Sequence, residues 1–200
     1  MFPEITRDDI FRLETERLWL RWPRAADVDQ IAAYCNDPEV ALKTALIPYP
    51  YSRPDAEEFV RFARAENEGG AALFLGLSPK RQPAQIIGTI SLDGADARGA
   101  GRLGFALARA AWGQGFMTEA TLAFVDMVFN LTSLDRILSS ALPENRASLR
   151  VQEKVGFVVT GEGELDAPAR GGSLKVTATV LKRGAAHTLF GARRPKLAST

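Results

Sequence analysis

The chain has 200 residues, of which 46% are hydrophobic and 24% are charged. This is the composition of a globular protein long enough to bury one core, so a single domain is expected. The 25 Lys and Arg residues nearly balance the 24 Asp and Glu residues, and a net charge of +1 gives no overall positive field that would attract nucleic acid.

Cysteine and histidine usage narrows the chemistry further. One cysteine, Cys35, and one histidine, His187, exclude an internal disulfide, a multi-cysteine zinc site and a histidine-rich metal centre. No metal is therefore expected, and His187 lies in a late, loosely patterned segment, which argues against a Ser-His-Asp triad. The N-terminal residues lack the layout of a secretory signal, and no apolar run reaches about 18 residues. We therefore expect a cytoplasmic protein without a membrane span.

Strands and helices alternate along the chain. Apolar patterning predicts seven strands, at residues 18–22, 71–77, 85–92, 102–108, 136–141, 157–160 and 176–181. Helices are predicted from Asp27, as the N-cap, to residues 36–38, then over 55–68, over 115–129, and for about ten residues from 145 to a stop at Gly156. The proline-rich residues 44–54 are predicted to form a loop. The pattern indicates one α/β (α+β) domain at residues 10–185 and a mobile C-terminal tail at 186–200.

A glycine-rich turn joins the predicted strand at 102–108 to the long helix, with the sequence Trp112-Gly113-Gln114-Gly115-Phe116-Met117-Thr118. Two glycines at such a junction let the backbone approach a ligand without a Cβ in the way. The helix that follows has free N–H groups and a positive dipole end at the same place. The turn therefore predicts an anion cradle suited to a phosphate or pyrophosphate, and a tight turn that serves only packing is the alternative. Neither a P-loop string nor the third glycine of a dinucleotide fingerprint is present.

Further motifs resemble those of a known superfamily. About thirty residues after the turn, the sequence reads Asn145-Arg146-Ala147-Ser148-Leu149-Arg150-Val151-Gln152-Glu153-Lys154-Val155-Gly156-Phe157. Together with Gly104-Phe105 and the turn, this pattern resembles the GNAT superfamily of N-acetyltransferases. The opening Leu13-Glu14-Thr15-Glu16-Arg17-Leu18-Trp19-Leu20-Arg21 resembles in particular the ribosomal-protein-acetylating branch, the RimJ/RimL type. The resemblance covers about residues 13–182 and indicates the family but not the acceptor.

The resemblance implies a single GNAT domain, with a mixed and mostly antiparallel sheet of about seven strands, about four flanking helices and a splay at the acetyl-CoA cleft. It implies acetyl-CoA as the cosubstrate and direct transfer of the acetyl group to a primary amine, without an acyl-enzyme. Ala110 stands where the family has Gln or Arg, and Arg109 is a candidate substitute. The implied cofactor-binding residues are Phe105, Ala106, Leu107, Arg109, Gly113, Gln114, Gly115, Phe116, Met117, Thr118, Asn145 and Ser148.

Two of these residues are the candidate catalytic residues. On the family pattern, the Ser148 hydroxyl reaches the CoA sulfur, and the alternative is a helix serine bonded to its own backbone. Asn145 holds the pantetheine arm, caps the following helix, or does both. The position at which many relatives carry a tyrosine acid is Gln152. The N–H groups of residues 105–107 would pair with the pantetheine and stabilise the oxyanion that forms as the amine attacks.

The general base is not specified by the resemblance. Relatives often carry a glutamate where this chain has Arg102 and Leu103, so the base cannot be carried over. Three carboxylates are candidates by position only, and each also fits a solvent-facing turn: Asp93, Glu162 and Glu164.

The acceptor end of the site is equally open. Tyr49 and Tyr51 lie in the predicted loop over the acceptor mouth and, with Asp93, are candidate substrate-binding residues; alternatively the tyrosines are packing anchors. The acceptor is a protein N-terminus or a small amine. The expected partners are acetyl-CoA and this amine, without nucleic acid or membrane, and a homodimer is left open. A catalytically impaired acyl-CoA-binding sensor or scaffold is the runner-up function, and a nucleotide-binding regulator is the third.

Overall fold

The computed structural model describes residues 1–96 and 99–185. Residues 97–98 and the predicted tail at 186–200, which includes His187, lie outside the described residues. The strands are β1 (Arg12–Glu14), β2 (Leu18–Arg21), β3 (Leu73–Pro79), β4 (Gly88–Asp93), β5 (Ala100–Leu107), β6 (Arg136–Ala141), β7 (Val158–Ala167) and β8 (Gly172–Lys182). The α-helices are α1 (Val28–Cys35), α2 (Pro38–Ala41), α3 (Arg53–Gly69), α4 (Phe116–Leu131) and α5 (Arg146–Val155).

One sheet contains all eight of these strands, in the order β1-β2-β3-β4-β5-β6-β8-β7. Neighbouring strands are antiparallel except β5 and β6, which run parallel. The parallel register is short, from Ala100↔Arg136 to Arg102↔Leu138, whereas β5 continues to Leu107. The sheet therefore opens between β5 and β6, which confirms the predicted splay.

The two faces of the sheet carry different side chains. In β4, Ile90 and Leu92 are fully buried, whereas the alternating residues Thr89, Ser91 and Asp93 face the opposite side, because successive side chains of a strand point to opposite faces. The main core, on the face of α4, is formed by large apolar residues including Leu75, Leu77, Ile90, Phe124, Val128 and Ile137. A second cluster packs α1 and α3 and includes Val28, Ile31, Tyr34, Ala56 and Val60.

The predicted elements are found, with differences in number and length. All seven predicted strands are present, and β1 is an eighth, whose three residues are too few for a periodic signal. The closing strand β7 is longer than predicted because Gly161 and Gly163 interrupt its apolar pattern without ending it. Gly161 has φ +139°, and the register with β8 shifts between Val159 and Gly161. The added strand β1 forms one edge of the sheet, the longer β7 forms the other, and the fold class is as predicted.

The helices also follow the prediction closely. Asn145 and Gly156 border α5, which has the predicted ten residues. The short helix α2 lies where the sequence indicated only the end of α1. Asp27 is the N-cap residue of α1, as predicted, but its side chain makes no capping hydrogen bond to this helix. Its carboxylate instead accepts two hydrogen bonds from the buried Arg21 guanidinium, at 2.7 and 2.8 Å, because a buried charge requires a partner.

Within residues 1–96 and 99–185, no helix has both the length and the apolar character needed to cross a membrane.

Candidate active site

A cleft of about 1020 Å³ lies where β5 and β6 separate and extends along the sheet towards α3. One part, here termed the cradle end, is bordered by β5, by residues 111–118 and by the start of α5. The other part, the α3 end, is bordered by the face of β4, by α3 and by residues 43–48 and 51. A single cavity thus connects the glycine-rich turn with the middle of the sheet.

The glycines of the turn are required by its backbone conformation. Gly113 has φ +73° and Gly115 has φ +80°, values in the left-handed region that side chains disfavour. A Cβ built on Gly113 would meet no atom within 4 Å. The surface above this glycine is therefore open and accessible to a ligand.

The amide groups of the turn are free. Among the described residues, none of the six backbone N–H groups from Gly113 to Thr118 donates a hydrogen bond, whereas the next N–H, of Glu119, bonds Gly115 O at 3.0 Å. The first three N–H groups of α4 belong to this set, and its dipole adds positive potential. This arrangement can bind an anion such as a pyrophosphate.

Residues near the N-terminus hold this turn in place. The Glu119 carboxylate accepts hydrogen bonds from Thr15 Oγ1 at 2.6 Å, from the Arg17 N–H at 2.7 Å and from Arg17 Nε at 2.6 Å. Arg17 Nη1 also donates to Gln114 O at 2.9 Å, and its guanidinium lies over the Phe116 ring. Burial raises the pKa of Glu119, but the bonds from Thr15 and Arg17 outweigh burial and lower it. The sequence motif around residues 15–17 therefore has a structural role that the sequence did not indicate.

The free edge of β5 supplies further donors. The Ala108 N–H donates to Ile87 O at 2.8 Å. Because backbone N–H groups alternate between the two sides of a strand, Ala106 and Gly104 also face β4. The N–H groups of Phe105 and Leu107 therefore point to the other side, towards the opening. Leu103 O on this edge accepts from Ser139 Oγ at 3.1 Å, and Leu107 O accepts from Trp112 Nε1 at 2.8 Å. In the described chain, no strand pairs with this edge beyond Arg102.

Two of the predicted binding residues place their side chains elsewhere. Arg109 is exposed in a short turn and does not border the cleft. The Gln114 side chain donates from Nε2 to Ala110 O at 2.9 Å, and this residue does not border the cleft either. The side-chain contribution that Ala110 lacks is therefore not supplied by Arg109 in this conformation.

Helix α5 brings both candidate catalytic residues to the cleft. Asn145 Oδ1 accepts a hydrogen bond from the Ser148 N–H at 3.2 Å, so Asn145 is the N-cap of α5. Ser148 borders the same cavity, and its Oγ accepts from Gln152 Nε2 at 3.1 Å. Gln152 is buried and contacts Ser148. The sequence analysis noted it only as the residue at the position where many relatives carry a tyrosine acid.

The α3 end contains one of the three candidate bases. Asp93 borders the cleft and faces Arg102 across the β4–β5 pair, while Glu162 and Glu164 are exposed on β7 and lie outside the cleft. Within the described ranges, the Asp93 carboxylate has neither an ion pair nor a hydrogen bond. Burial raises its pKa, the attraction of Arg102 lowers it in part, and repulsion from Glu66 adds to the increase.

Aromatic side chains form much of the remaining wall. Phe62 is 49% exposed and packs edge-on against Phe74, with ring centroids 5.4 Å apart. Tyr51 is buried and borders the cleft, and burial raises the pKa of its hydroxyl. Tyr49 is 48% exposed and does not border the cleft. The two phenylalanines were missed from the sequence because they lie on separate elements with ordinary core spacing.

Cys35 also borders the cleft but is buried. Burial raises the pKa of its thiol to about 12, so the thiol stays protonated at neutral pH and is a poor nucleophile. Among the residues that the structure describes, no cluster of three His, Cys, Asp or Glu side chains is placed to hold a metal ion.

Comparisons with known proteins identify the family of the chain. A family model described as an acetyltransferase (GNAT) domain matches residues 17–158. A Bacillus licheniformis protein named uncharacterized N-acetyltransferase p20 is 29% identical over 150 residues, which cover 74% of this chain and 83% of that protein.

Solved structures share the fold at lower identity. Mycobacterium smegmatis RimJ in complex with CoA-disulfide has a TM-score of 0.73 and 20% identity, covering 94% of this chain and 95% of that one. Spermidine N-acetyltransferase from Vibrio cholerae, in complex with CoA and spermine, has a TM-score of 0.70 and 19% identity, covering 85% of this chain and 98% of that one. Because the family model matches most of the chain, the protein belongs to the GNAT family of N-acetyltransferases, as its motifs predicted.

Proposed function

We propose that the protein transfers the acetyl group of acetyl-CoA to a primary amine by direct attack of the amine on the thioester. The observation that carries the proposal is that one cavity joins the free amides of residues 113–118 to the unpaired Asp93 carboxylate. The free amides suit the pyrophosphate of acetyl-CoA, and the carboxylate suits an amine acceptor that must lose a proton.

Several residues fit acetyl-CoA at the cradle end. The six free N–H groups would receive its pyrophosphate, and the open space above Gly113 would leave room for it. The N–H groups of Phe105 and Leu107 would pair with the pantetheine arm. One of them would also stabilise the oxyanion of the tetrahedral intermediate. The CoA complexes of RimJ and of the spermidine enzyme, which share this fold, support the assignment.

Proton transfer is assigned to the two ends of the cleft. Asp93 would accept a proton from the ammonium form of the acceptor, and its raised pKa makes it a stronger base than an ordinary aspartate. The neutral amine attacks the thioester carbon, and the tetrahedral intermediate collapses as the C–S bond breaks with its electron pair on sulfur. The Ser148 hydroxyl donates a hydrogen bond to the departing thiolate, which then takes up the extra proton left on the acetylated nitrogen. A covalent acetyl-cysteine is disfavoured because the Cys35 thiol is protonated.

The α3 end favours a cationic acceptor. Four carboxylates, of Asp55, Glu58, Glu66 and Asp93, outnumber the cations Lys43 and Arg102 along it, next to the half-exposed Phe62. Acidic groups and aromatic rings together attract an ammonium group and its apolar neighbours. The fold is shared with RimJ and with the spermidine enzyme. The proposed acceptor is therefore either a protein N-terminus or a small amine.

The alternative function is a CoA-binding sensor without turnover. Its grounds are that Arg102 and Leu103 stand where relatives carry a glutamate base, and that Ala110 replaces a Gln or Arg. Asp93 now provides a candidate base inside the cavity, which favours catalysis. Binding of acetyl-CoA without thiol release on any tested amine would instead support the sensor.

The test is thiol release from acetyl-CoA with spermidine, with phenethylamine and with short peptides that carry a free N-terminal Ser or Ala. We expect turnover on at least one of them. Asp93→Asn should lower kcat/KM by about a hundredfold or more while the Kd for acetyl-CoA stays unchanged. The rise of activity as pH increases through the Asp93 pKa should also disappear in this variant.

Exposed carboxylates on β7 provide matched controls. Glu162→Gln and Glu164→Gln remove negative charge outside the cleft and should leave kcat/KM at the native value. Native turnover by Asp93→Asn, or loss in either control, would remove Asp93 from the role of base.

A further inference from the structure

A chain of three polar side chains leads from the interior of the protein to the cleft. Gln152 is 1% exposed and Thr179 is 4% exposed, and neither borders the cavity, whereas Ser148 does. Buried polar groups persist when they are hydrogen-bonded, and these three residues bond one another in sequence. They connect strand β8, through helix α5, to the wall of the cradle end.

The atoms involved define the direction of the two bonds, because an amide oxygen accepts and an amide N–H donates, and the lengths agree. Thr179 Oγ1 lies 2.6 Å from Gln152 Oε1, a distance typical of an O–H donor. Gln152 Nε2 lies 3.1 Å from Ser148 Oγ, a distance typical of an N–H donor. The Gln152 amide therefore accepts from Thr179 and donates to Ser148. Thr179 Oγ1 also lies 3.1 Å from Ser139 O, but its single hydrogen takes the shorter bond.

This direction leaves the hydrogen of the Ser148 hydroxyl free. A serine or threonine inside a helix commonly donates to the carbonyl four residues earlier, as Thr121 does to Met117 O at 2.7 Å in α4. Ser148 makes no such bond within the described residues. Its oxygen is occupied by the Gln152 N–H, and its hydrogen can turn into the cleft.

We propose that Gln152 is a positioning residue that fixes the Ser148 hydroxyl with its hydrogen directed at the CoA sulfur. The proposal rests on the proposed function, in which Ser148 stabilises the departing thiolate. The Gln152 N–H also polarises the serine O–H, which strengthens the bond that it donates. The C–S electron pair passes to sulfur when the bond breaks, and neither Gln152 nor Thr179 gains or loses a proton.

The test is the pKa of the CoA thiol in the complex with the enzyme, followed by ultraviolet absorbance of the thiolate, and it needs no acceptor. Ser148→Ala should raise this pKa by about 1 to 2, the effect of one hydrogen bond to a charged group. Gln152→Met, which keeps the side-chain length but removes the donor, should raise it nearly as much. Gln152→Glu should raise it further, because a carboxylate draws the serine hydrogen away from the sulfur.

A double-mutant cycle separates positioning from a structural role. Adding Gln152→Met to Ser148→Ala should cause no further rise, because Gln152 acts only through the serine. Thr179→Val should give a smaller rise in the same direction, and Thr177→Val on the same strand is the matched control without effect. In turnover, Gln152→Met should lower kcat by about threefold to tenfold and leave the KM for acetyl-CoA unchanged.

The outcomes distinguish this proposal from the one on which it rests. If Ser148→Ala leaves the thiol pKa unchanged, the role of Ser148 in the proposed function fails. If Ser148→Ala raises it but Gln152→Met does not, or if the two effects add, the positioning role of Gln152 is overturned. Thermal unfolding and CoA affinity at acidic pH verify that each variant is folded. If Gln152→Met does not fold, the rise of the thiol pKa expected for Thr179→Val tests the proposal instead.

Discussion

At the scale of single residues, the site depends on backbone groups more than on side chains. Gly113 and Gly115 present free N–H groups because their positive φ angles turn the peptide planes outward. The resemblance implies a Gln or Arg side chain where this chain has Ala110, and Arg109 does not border the cleft. In the proposed function, donor binding therefore depends strongly on the conformation of the two glycines.

This dependence gives a residue-scale prediction with a matched control. Gly113→Ala places a Cβ in the open space that a pyrophosphate would use, so the Kd for acetyl-CoA should rise by at least about tenfold. Gly171 has the same φ of +73°, an equally open Cβ position and no contact with the cleft. Gly171→Ala should cause a similar loss of stability, about 1 kcal/mol, without affecting CoA affinity.

Calorimetric titration with acetyl-CoA and thermal unfolding measure the two effects separately. Unchanged affinity in Gly113→Ala would contradict the cradle assignment. Equal loss of affinity in both variants would show that backbone strain, and not the occupied space, weakens binding.

At the scale of elements, the turn between β1 and β2 supports the start of α4. Glu119 lies in the first turn of α4 and receives three hydrogen bonds from Thr15 and Arg17. Because Arg17 also bonds Gln114 O, the same contacts fix the glycine turn. The conformation of the cradle is thus coupled to a segment nearly one hundred residues earlier in the chain.

Replacing this carboxylate should have a pH-dependent cost. Glu119→Gln should lower Tm at neutral pH by about 5 °C, since it weakens hydrogen bonds to a charged group. The pKa of Glu119 is lowered in the folded state, so its stabilisation is present above its usual pKa of 4.5 and is lost as pH falls through the lowered value. The difference in Tm should therefore shrink in acid.

Thermal unfolding of both proteins between neutral and acidic pH checks this expectation. Glu16→Gln, in the same turn but exposed, should leave Tm unchanged. A difference in Tm that persisted undiminished in acid would contradict an electrostatic origin.

Elements with strong local signals were predictable from the sequence. The helix α5 was placed correctly because Asn145 and Gly156 mark its two ends. The turn with free N–H groups was predictable because two glycines precede a long apolar helix, whereas its use as an anion cradle stays a prediction. The strand β1 was missed because three residues carry no periodicity. The α3 end could not be predicted, because Glu66, Asp93 and Arg102 meet only through the packing of α3 on the β4–β5 register. Similarly, the contact of Gln152 with Thr179 depends on how α5 packs against β8.

At the scale of the whole molecule, distant segments are joined across the cleft by Arg170. This residue lies in the turn between β7 and β8, and its guanidinium donates to Ile47 O at 2.7 Å and also to Ala41 O. Residues 44–48 border the cleft on one side, and Leu165, Asp166 and Leu174 border it on the other. Arg170 therefore holds two walls of the α3 end together.

The last prediction concerns this connection. Arg170→Met keeps most of the apolar stem but removes every donor, so the turn and residues 41–47 should separate more readily. Amide hydrogen exchange should increase in both segments together, and the KM for the amine should rise about threefold or more while the Kd for acetyl-CoA stays unchanged. Arg170→Lys should restore part of the protection, and Arg81→Met, an exposed arginine in the β3–β4 turn, should change nothing. If exchange increases only near residue 170, the arginine does not couple the two walls, and the shape of the α3 end must be held by apolar packing alone.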